Sequence, residues 1–205
     1  MYIPEEFHMR NKDVMIQFIR KNSFGILFSQ VKGRPFATHL PLLLDPDRKK
    51  LFGHLAKANP HWRELDNTEV LIVFQGPHAY ISPSWYVEKQ AVPTWNYVAV
   101  HVFGNCQIVR DEKKLHCLLR EMVRFYEPDS PLLERLDEEF YVKLEKTVVG
   151  IEIEITAVEG KAKLSQNKSP ETVRGVIEGL NNSKDYQACE VANLMQVLLD
   201  TMDKK

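Results

Sequence analysis

Hydrophobic and polar positions change rhythm four times along the chain. Val14, Phe18 and Ile19 follow Asn11 at helical spacing, which predicts a first helix over 11–22 with Asn11 as its cap. Strand-like runs follow. Residues 24–30 form a short apolar stretch bounded by Gly25 and Gly33. Residues 34–44 end at the turn signal Asp45-Pro46-Asp47, and 50–56 supply a third run. Connections of a few residues make these three a meander. Val70–Phe74 is uninterrupted and apolar, the pattern of a strand buried on both faces. Residues 79–82 resume it after a break at Gly76-Pro77, and 97–104 and 106–109 add further strands.

Beyond residue 110 the period becomes helical. Leu115, Leu118, Leu119, Met122 and Val123 form one stripe, predicting a helix from Asp111 to about Tyr126. A second helix is expected from Ser130-Pro131 toward Lys146, its charged run from Glu134 onward being a solvated face. Residues 148–158 alternate, with Ile151, Ile153 and Ile155 on one face and Glu152, Glu154 and Thr156 on the other: a half-exposed strand. Ser169-Pro170-Glu171 opens a helix to about Asn181, and Ser183 or Asp185 opens the last. About six strands between 24 and 110 with one short helix favour an antiparallel barrel over βαβ units. The expected class is mainly β with helices (α+β): residues 1–168 a split barrel with inserted helices, 169–205 a helical appendage.

Composition narrows the function classes. The 205 residues are 44% hydrophobic and 27% charged with net charge −1. That is ordinary globular composition, without the basic excess of a broad DNA-binding face. No apolar run is long enough to cross a membrane, and the first residues lack the features of a secretory signal. Three widely spaced cysteines without CxxC indicate reduced thiols in a cytoplasm. No P-loop, GxGxxG, HExxH or GxSxG is present, so no metal ligand and no catalytic residue is assigned. Each isolated histidine is expected in a hydrogen-bonded structural role.

Gly76 to Gly104 concentrates two of the three tryptophans, three tyrosines and three prolines. Rings held by prolines make a stiff wall for a planar ligand or a dimer seam. Trp62 and Trp85 are expected to be core or interface anchors. Asn59 before Pro60 starts a helix whose N–H groups favour phosphate, with Lys57 as the adjacent cation.

The order of these residues resembles the PaiB family. The resemblance rests on Met1-Tyr2-Ile3-Pro4, Thr38-His39-Leu40-Pro41 and Gly53-His54-Leu55-Ala56-Lys57-Ala58-Asn59-Pro60-His61-Trp62. Tyr80-Ile81-Ser82-Pro83-Ser84-Trp85-Tyr86, Val92-Pro93-Thr94-Trp95-Asn96-Tyr97 and Lys163-Leu164-Ser165-Gln166-Asn167 continue it in family order. It implies a negative transcriptional regulator of sporulation and degradative-enzyme (protease) genes on an FMN-binding split barrel. The alternative is an FMN-dependent oxidoreductase similar to pyridoxamine-phosphate oxidases. It further implies FMN as cofactor and a homodimer with the cofactor at the dimer interface. The residues expected to bind it are Thr38, His39, His54, Lys57, Asn59, Trp95, Tyr97, Lys163, Ser165 and Gln166. The C-terminal helix pair is not a defensible helix-turn-helix, because Asp185, Glu190 and Asp200 make its second helix acidic. Action on DNA is therefore expected to be indirect or through the dimer surface.

Overall fold

A computed structural model describes residues 1–88 and 90–202, with side chains described through residue 200. Six antiparallel strands follow one another around a closed barrel in the order β1-β2-β3-β6-β5-β4. They are β1 (Phe24–Val31), β2 (Arg34–Leu44), β3 (Lys50–Ala56), β4 (Thr68–Ile81), β5 (Thr94–Val109) and β6 (Val148–Lys163). The helices are α1 (Lys12–Lys21), α2 (Glu112–Tyr126), α3 (Leu132–Arg135), α4 (Glu139–Glu145), α5 (Pro170–Asn181) and α6 (Ala188–Met202). The chain forms two compact units: residues 1–18, 75–100 and 159–205, and residues 19–74 and 101–158.

The second unit contains the meander. Val31 pairs with Arg34 across a two-residue turn in which Lys32 (φ 53°) and Gly33 (φ 73°) are both left-handed. That geometry matches strand twist, and Gly33 takes it without strain. The Glu64 carboxylate accepts the Lys32 N–H at 2.9 and 3.2 Å, which holds the non-glycine residue there. β1 also pairs with β4 (Ile26 with Val73), β2 with β3 (Leu43 with Phe52) and β3 with β6 (His54 with Gly150). Leu27, Leu42, Leu51, Ile72, Phe74, Ile151 and Ile153 fill the interior with no exposed surface. Burying each contributes about 1.5–3 kcal/mol, which makes this layer the main source of stability.

The first unit packs α5 and α6 with the ends of β4, β5 and β6. Ser169 Oγ accepts the Thr172 N–H at 3.2 Å, and Pro170 sits at the first helical position, so α5 starts where its sequence dictates. Val176, Leu180, Val191 and Met195 are fully buried there with Ile81 and Leu164.

Several expectations are corrected. Gly76-Pro77 does not break β4; a Cβ at Gly76 would lie 2.7 Å from the Phe18 ring, so glycine admits a close neighbour instead of ending the strand. β5 likewise runs through Gly104, where a Cβ would meet the Glu154 carbonyl oxygen at 2.5 Å. The helix expected over 130–146 is two short ones, because Glu138 is extended (ψ 142°) between them. β6 continues to Lys163, and α6 starts at Ala188, after Gln187 in a left-handed conformation (φ 66°). Glu152 is buried, not on a solvated face. Lys114 of α2 and Lys50 both bond its carboxylate and cover it, while Glu154 and Thr156 on the same face of β6 are exposed as expected.

Candidate functional site

The expected residues fall into two clusters, one in each unit. In the second unit the centre is a residue absent from the expected set. His61 is fully buried in the single 3-10 turn Pro60–Glu64 that follows β3. Asn59 precedes that turn with extended backbone and caps it: Asn59 Oδ1 accepts the His61 N–H at 3.0 Å. Asn59 Nδ2 donates to Thr38 Oγ1 at 3.1 Å, and Thr38 Oγ1 lies 2.8 Å from His61 Nδ1. On the other side of the imidazole, Ser29 Oγ lies 2.7 Å from Nε2 and also reaches the Gln30 carbonyl at 3.4 Å. Phe36 lies against the ring at a centroid distance of 4.8 Å.

Donors and acceptors close in one direction. Asn59 donates to Thr38, Thr38 donates to Nδ1, the Nε2–H donates to Ser29, and Ser29 donates to Gln30. Each of these four donors has an acceptor when His61 is neutral. The assignment follows from the pattern of partners. Burial lowers the His61 pKa, in keeping with the neutral form. Strand parity delivers the two hydroxyls: Leu27 pairs with Thr38 and Ser29 with Phe36, so all four share one face of the β1–β2 ribbon.

Lys57 is exposed and makes no ion pair among the described residues. Its carbonyl accepts the Trp62 indole N–H at 2.9 Å and its N–H donates to the Thr147 carbonyl at 2.7 Å, so a free ammonium stands on a backbone fixed from both sides. His39 lies on the other face of β2, exposed, with its ring 6.4 Å from Phe24. His54 does not join the His61 chain; its Nδ1 lies 3.3 Å from Met122 Sδ, and burial lowers its pKa. Thr38 and Asn59 are thus brought together by the turn, Lys57 is tied to it through its carbonyl, and His39 and His54 face elsewhere.

In the first unit Lys163, Trp95 and Tyr97 gather at the ends of β5 and β6. Lys163 Nζ donates to the Trp95 carbonyl at 2.8 Å and to Thr94 Oγ1. Burial lowers its pKa, and the charge of Lys161 lowers it further. Lys161 is 7% exposed, donates to the Tyr2 carbonyl at 3.1 Å and sits 5.3 Å from the Tyr97 ring centre and 5.5 Å from that of Tyr2. Such faces attract cations. Trp95 is 53% exposed and flanked by Tyr80 at 6.0 Å and His78 at 6.2 Å. The result is an open ring surface beside two ammonium groups.

Ser165 and Gln166 use their polar atoms within the protein. Asn96 is fully buried and donates through Nδ2 to Ser165 Oγ at 2.9 Å. Gln166 Oε1 accepts the Leu164 N–H at 2.7 Å, and its Nε2 donates to the Ala162 carbonyl at 2.5 Å. Together they hold the turn after β6, where Ser165 is left-handed (φ 62°). Sequence reasoning missed His61, Ser29, Asn96 and Lys161. A signal existed for the first: Asn59-Pro60 marks a cap that draws the next side chain inward.

The barrel order is that of a split barrel of the flavin-binding type. Solved structures share the fold. The flavocytochrome Anf3 from Azotobacter vinelandii superposes with a TM-score of 0.63 over 76% of this chain and 69% of its own, at 14% identity. An FAD and heme binding protein from Mycobacterium smegmatis gives 0.63 over 82% of this chain and 78% of its own, at 10% identity. The chain belongs to the PaiB family, whose model, described as "Putative FMN-binding domain", matches residues 1–157. It is 39% identical to "Protease synthase and sporulation protein PAI 2" of Bacillus subtilis (strain 168) over 202 residues, 96% of this chain and 97% of that one.

Proposed function

We propose that this protein is a cytoplasmic negative regulator of sporulation and degradative-enzyme synthesis whose barrel binds FMN. The observation that carries it is the family match over residues 1–157 together with 39% identity across nearly the whole of a protease and sporulation protein. Residues 169–205 are an appendage to the FMN-binding segment in this proposal. Among the described residues no helix is long and apolar enough to cross a membrane.

The donor set of the second unit fits a phosphorylated ligand. Lys57 offers an ammonium unpaired among the described residues, next to a turn held by the side-chain hydrogen bonds of Asn59 and Trp62. Lys57 would hold the phosphate as a point charge, and the Thr38–His61–Asn59 chain would position Lys57 through the turn without touching the ligand. In the first unit Trp95, Tyr97 and Lys163 are proposed to wall a planar anionic ring. When bound, FMN supplies a redox-active ring; no side chain here is given a catalytic role.

A homodimer is part of the proposal. Phe24 is 65% exposed on the outer face of β1, in line with Ile26 and Phe28. Register puts Val73 of β4 beside Ile26 and Leu71 beside Phe28. A solvated column of this kind is the pattern of an interface core.

The test has two arms. FMN and riboflavin are titrated into the purified full chain while flavin fluorescence is followed. Lys57→Ala is expected to weaken FMN about tenfold or more and riboflavin little; equal losses overturn the phosphate role. The chain is then expressed in a Bacillus subtilis strain lacking PAI 2. Extracellular protease is expected to fall to the level of the parent strain, and an unchanged level overturns the regulatory assignment.

A further inference from the structure

A cavity of about 480 Å³ opens in the first unit where the loop after β4 meets α5, lined by none of the residues assigned above. Its lining is Ser84, Trp85, Gly175, Glu178, Gly179, Asn182 and Ser183. Two glycines four residues apart form the helix side of this cavity. A Cβ at Gly175 would meet the Trp85 carbonyl oxygen at 2.5 Å, and one at Gly179 would meet the indole carbons at 2.3–2.5 Å. The indole therefore rests on bare helix backbone. The same loop is tied down twice more: Thr172 Oγ1 donates to Glu88 Oε2 at 2.8 Å, and the Lys168 ammonium lies 5.1 Å from the Tyr86 ring.

The lining chemistry has one sign. Among the described residues Glu178 is its one ionisable side chain, exposed and without an ion pair. Among the described residues no lysine, arginine or histidine lines the cavity. The remaining polar groups are two hydroxyls and an amide, which accept as well as donate hydrogen bonds. An indole face, an unpaired carboxylate and hydroxyl acceptors are together the chemistry that selects an ammonium over a neutral or anionic group.

We propose that this cavity binds a small alkylammonium ion, with its nitrogen at Glu178 and its chain against Trp85. The site is separate from Lys57 and does not depend on FMN binding. Both attractions act at a partly solvated surface, so affinity for a single ammonium is modest, on the order of millimolar. Because Trp85 belongs to the loop that leads into Thr94 and Trp95, an occupant bears on a segment already proposed to contact ligand, which is the arrangement expected of an effector site.

The experiment follows the three indole N–H signals of the full-length protein by NMR as butylammonium chloride is added at constant ionic strength. The Trp85 signal is identified by its loss in Trp85→Phe. Expected is a saturable shift of that signal, weakened about fivefold in Glu178→Gln, with no saturable shift for butanol or butyrate. Glu178 is exposed on α5, so its replacement leaves the fold intact, and an unchanged amide spectrum elsewhere verifies this. The proposal is overturned by absence of saturation up to about 0.1 M, by equal affinity in Glu178→Gln, or by an equal response to butyrate.

Discussion

Thr38 Oγ1 and His61 Nδ1 lie 2.8 Å apart, and the imidazole between Thr38 and Ser29 has no solvent exposure. Charging that ring would add a second N–H donor and force Thr38 to turn, with no carboxylate bonded to the ring. Burial lowers the pKa of His61 and of His54. Their unfolded values are higher, about 6.5, so the unfolded chain binds more protons below that pH. Stability is therefore expected to be full above about pH 6.5 and to fall as pH drops below it. Urea midpoints between pH 8 and pH 5 measure this. His61→Ala is expected to cost about 2–4 kcal/mol at pH 8, from the cavity and the orphaned hydroxyls, and to flatten the slope.

Glu152 is held by Lys50 and Lys114, and its side chain is only 7% exposed. Burial opposes its ionisation, yet the bonds from the two lysines outweigh that and keep its pKa below the usual range. Each lysine is partly solvated, so Lys50→Ala or Lys114→Ala alone should cost about 1 kcal/mol or less. Removing both strands a buried carboxylate and should cost about 3–5 kcal/mol. Denaturation of the four members of this cycle tests the excess, and simple addition of two small losses would contradict it.

Gly179→Ala adds a carbon 2.3 Å from the Trp85 ring. Helix propensity favours alanine by about 1 kcal/mol. Overpacking costs about 1–3 kcal/mol and is expected to win, because the nearest atoms belong to a ring wedged against backbone. Thermal unfolding should occur at lower temperature, with altered tryptophan emission.

Burial pushes the Cys106 thiol up to about 12, with the charge of Asp66 adding to it. Cys117 and Cys189 are exposed. A thiol reagent should therefore label two cysteines per native chain at pH 8 and three in denaturant. Rapid native labelling of a third would contradict the burial of Cys106.

Phe24→Lys puts a charge into the exposed column of β1 without disturbing the interior. Sedimentation should show the proposed dimer shifted to monomer by at least about tenfold in Kd, with the unfolding transition of the monomer intact. An unchanged dimer would place the interface elsewhere.

Much of this architecture was legible in residue order, because the signals are local. Apolar runs bounded by glycines and turn signals marked β1, β2 and β3 to within a residue, Asp111 and Ser169 announced their helices, and Asn59-Pro60 announced a helix start that is a single 3-10 turn. The failures share a cause. In residue order Gly76 and Gly104 look like breaks, whereas each makes room for an atom far along the chain, the Phe18 ring and the Glu154 carbonyl. Glu152 looked solvated because the residues over it, Lys50 and Lys114, are 102 and 38 positions away. Thr38 and Asn59 stood out as candidates, but the ring that joins them lies 23 residues from Thr38, and nothing in periodicity reports such a pairing.

By itself the order of residues determined the strand and helix content, the barrel class and the family, since these follow from short-range periodicity, caps and motif order. Tertiary structure alone decided which polar side chains spend their hydrogen bonds inward, as His61, Asn96, Ser165 and Gln166 do. It also decided which cations stay unpaired, as Lys57 does. The division follows from physics: backbone conformation is set by neighbours in sequence, whereas desolvation and charge pairing are set by whatever the closed sheet brings within a few ångströms.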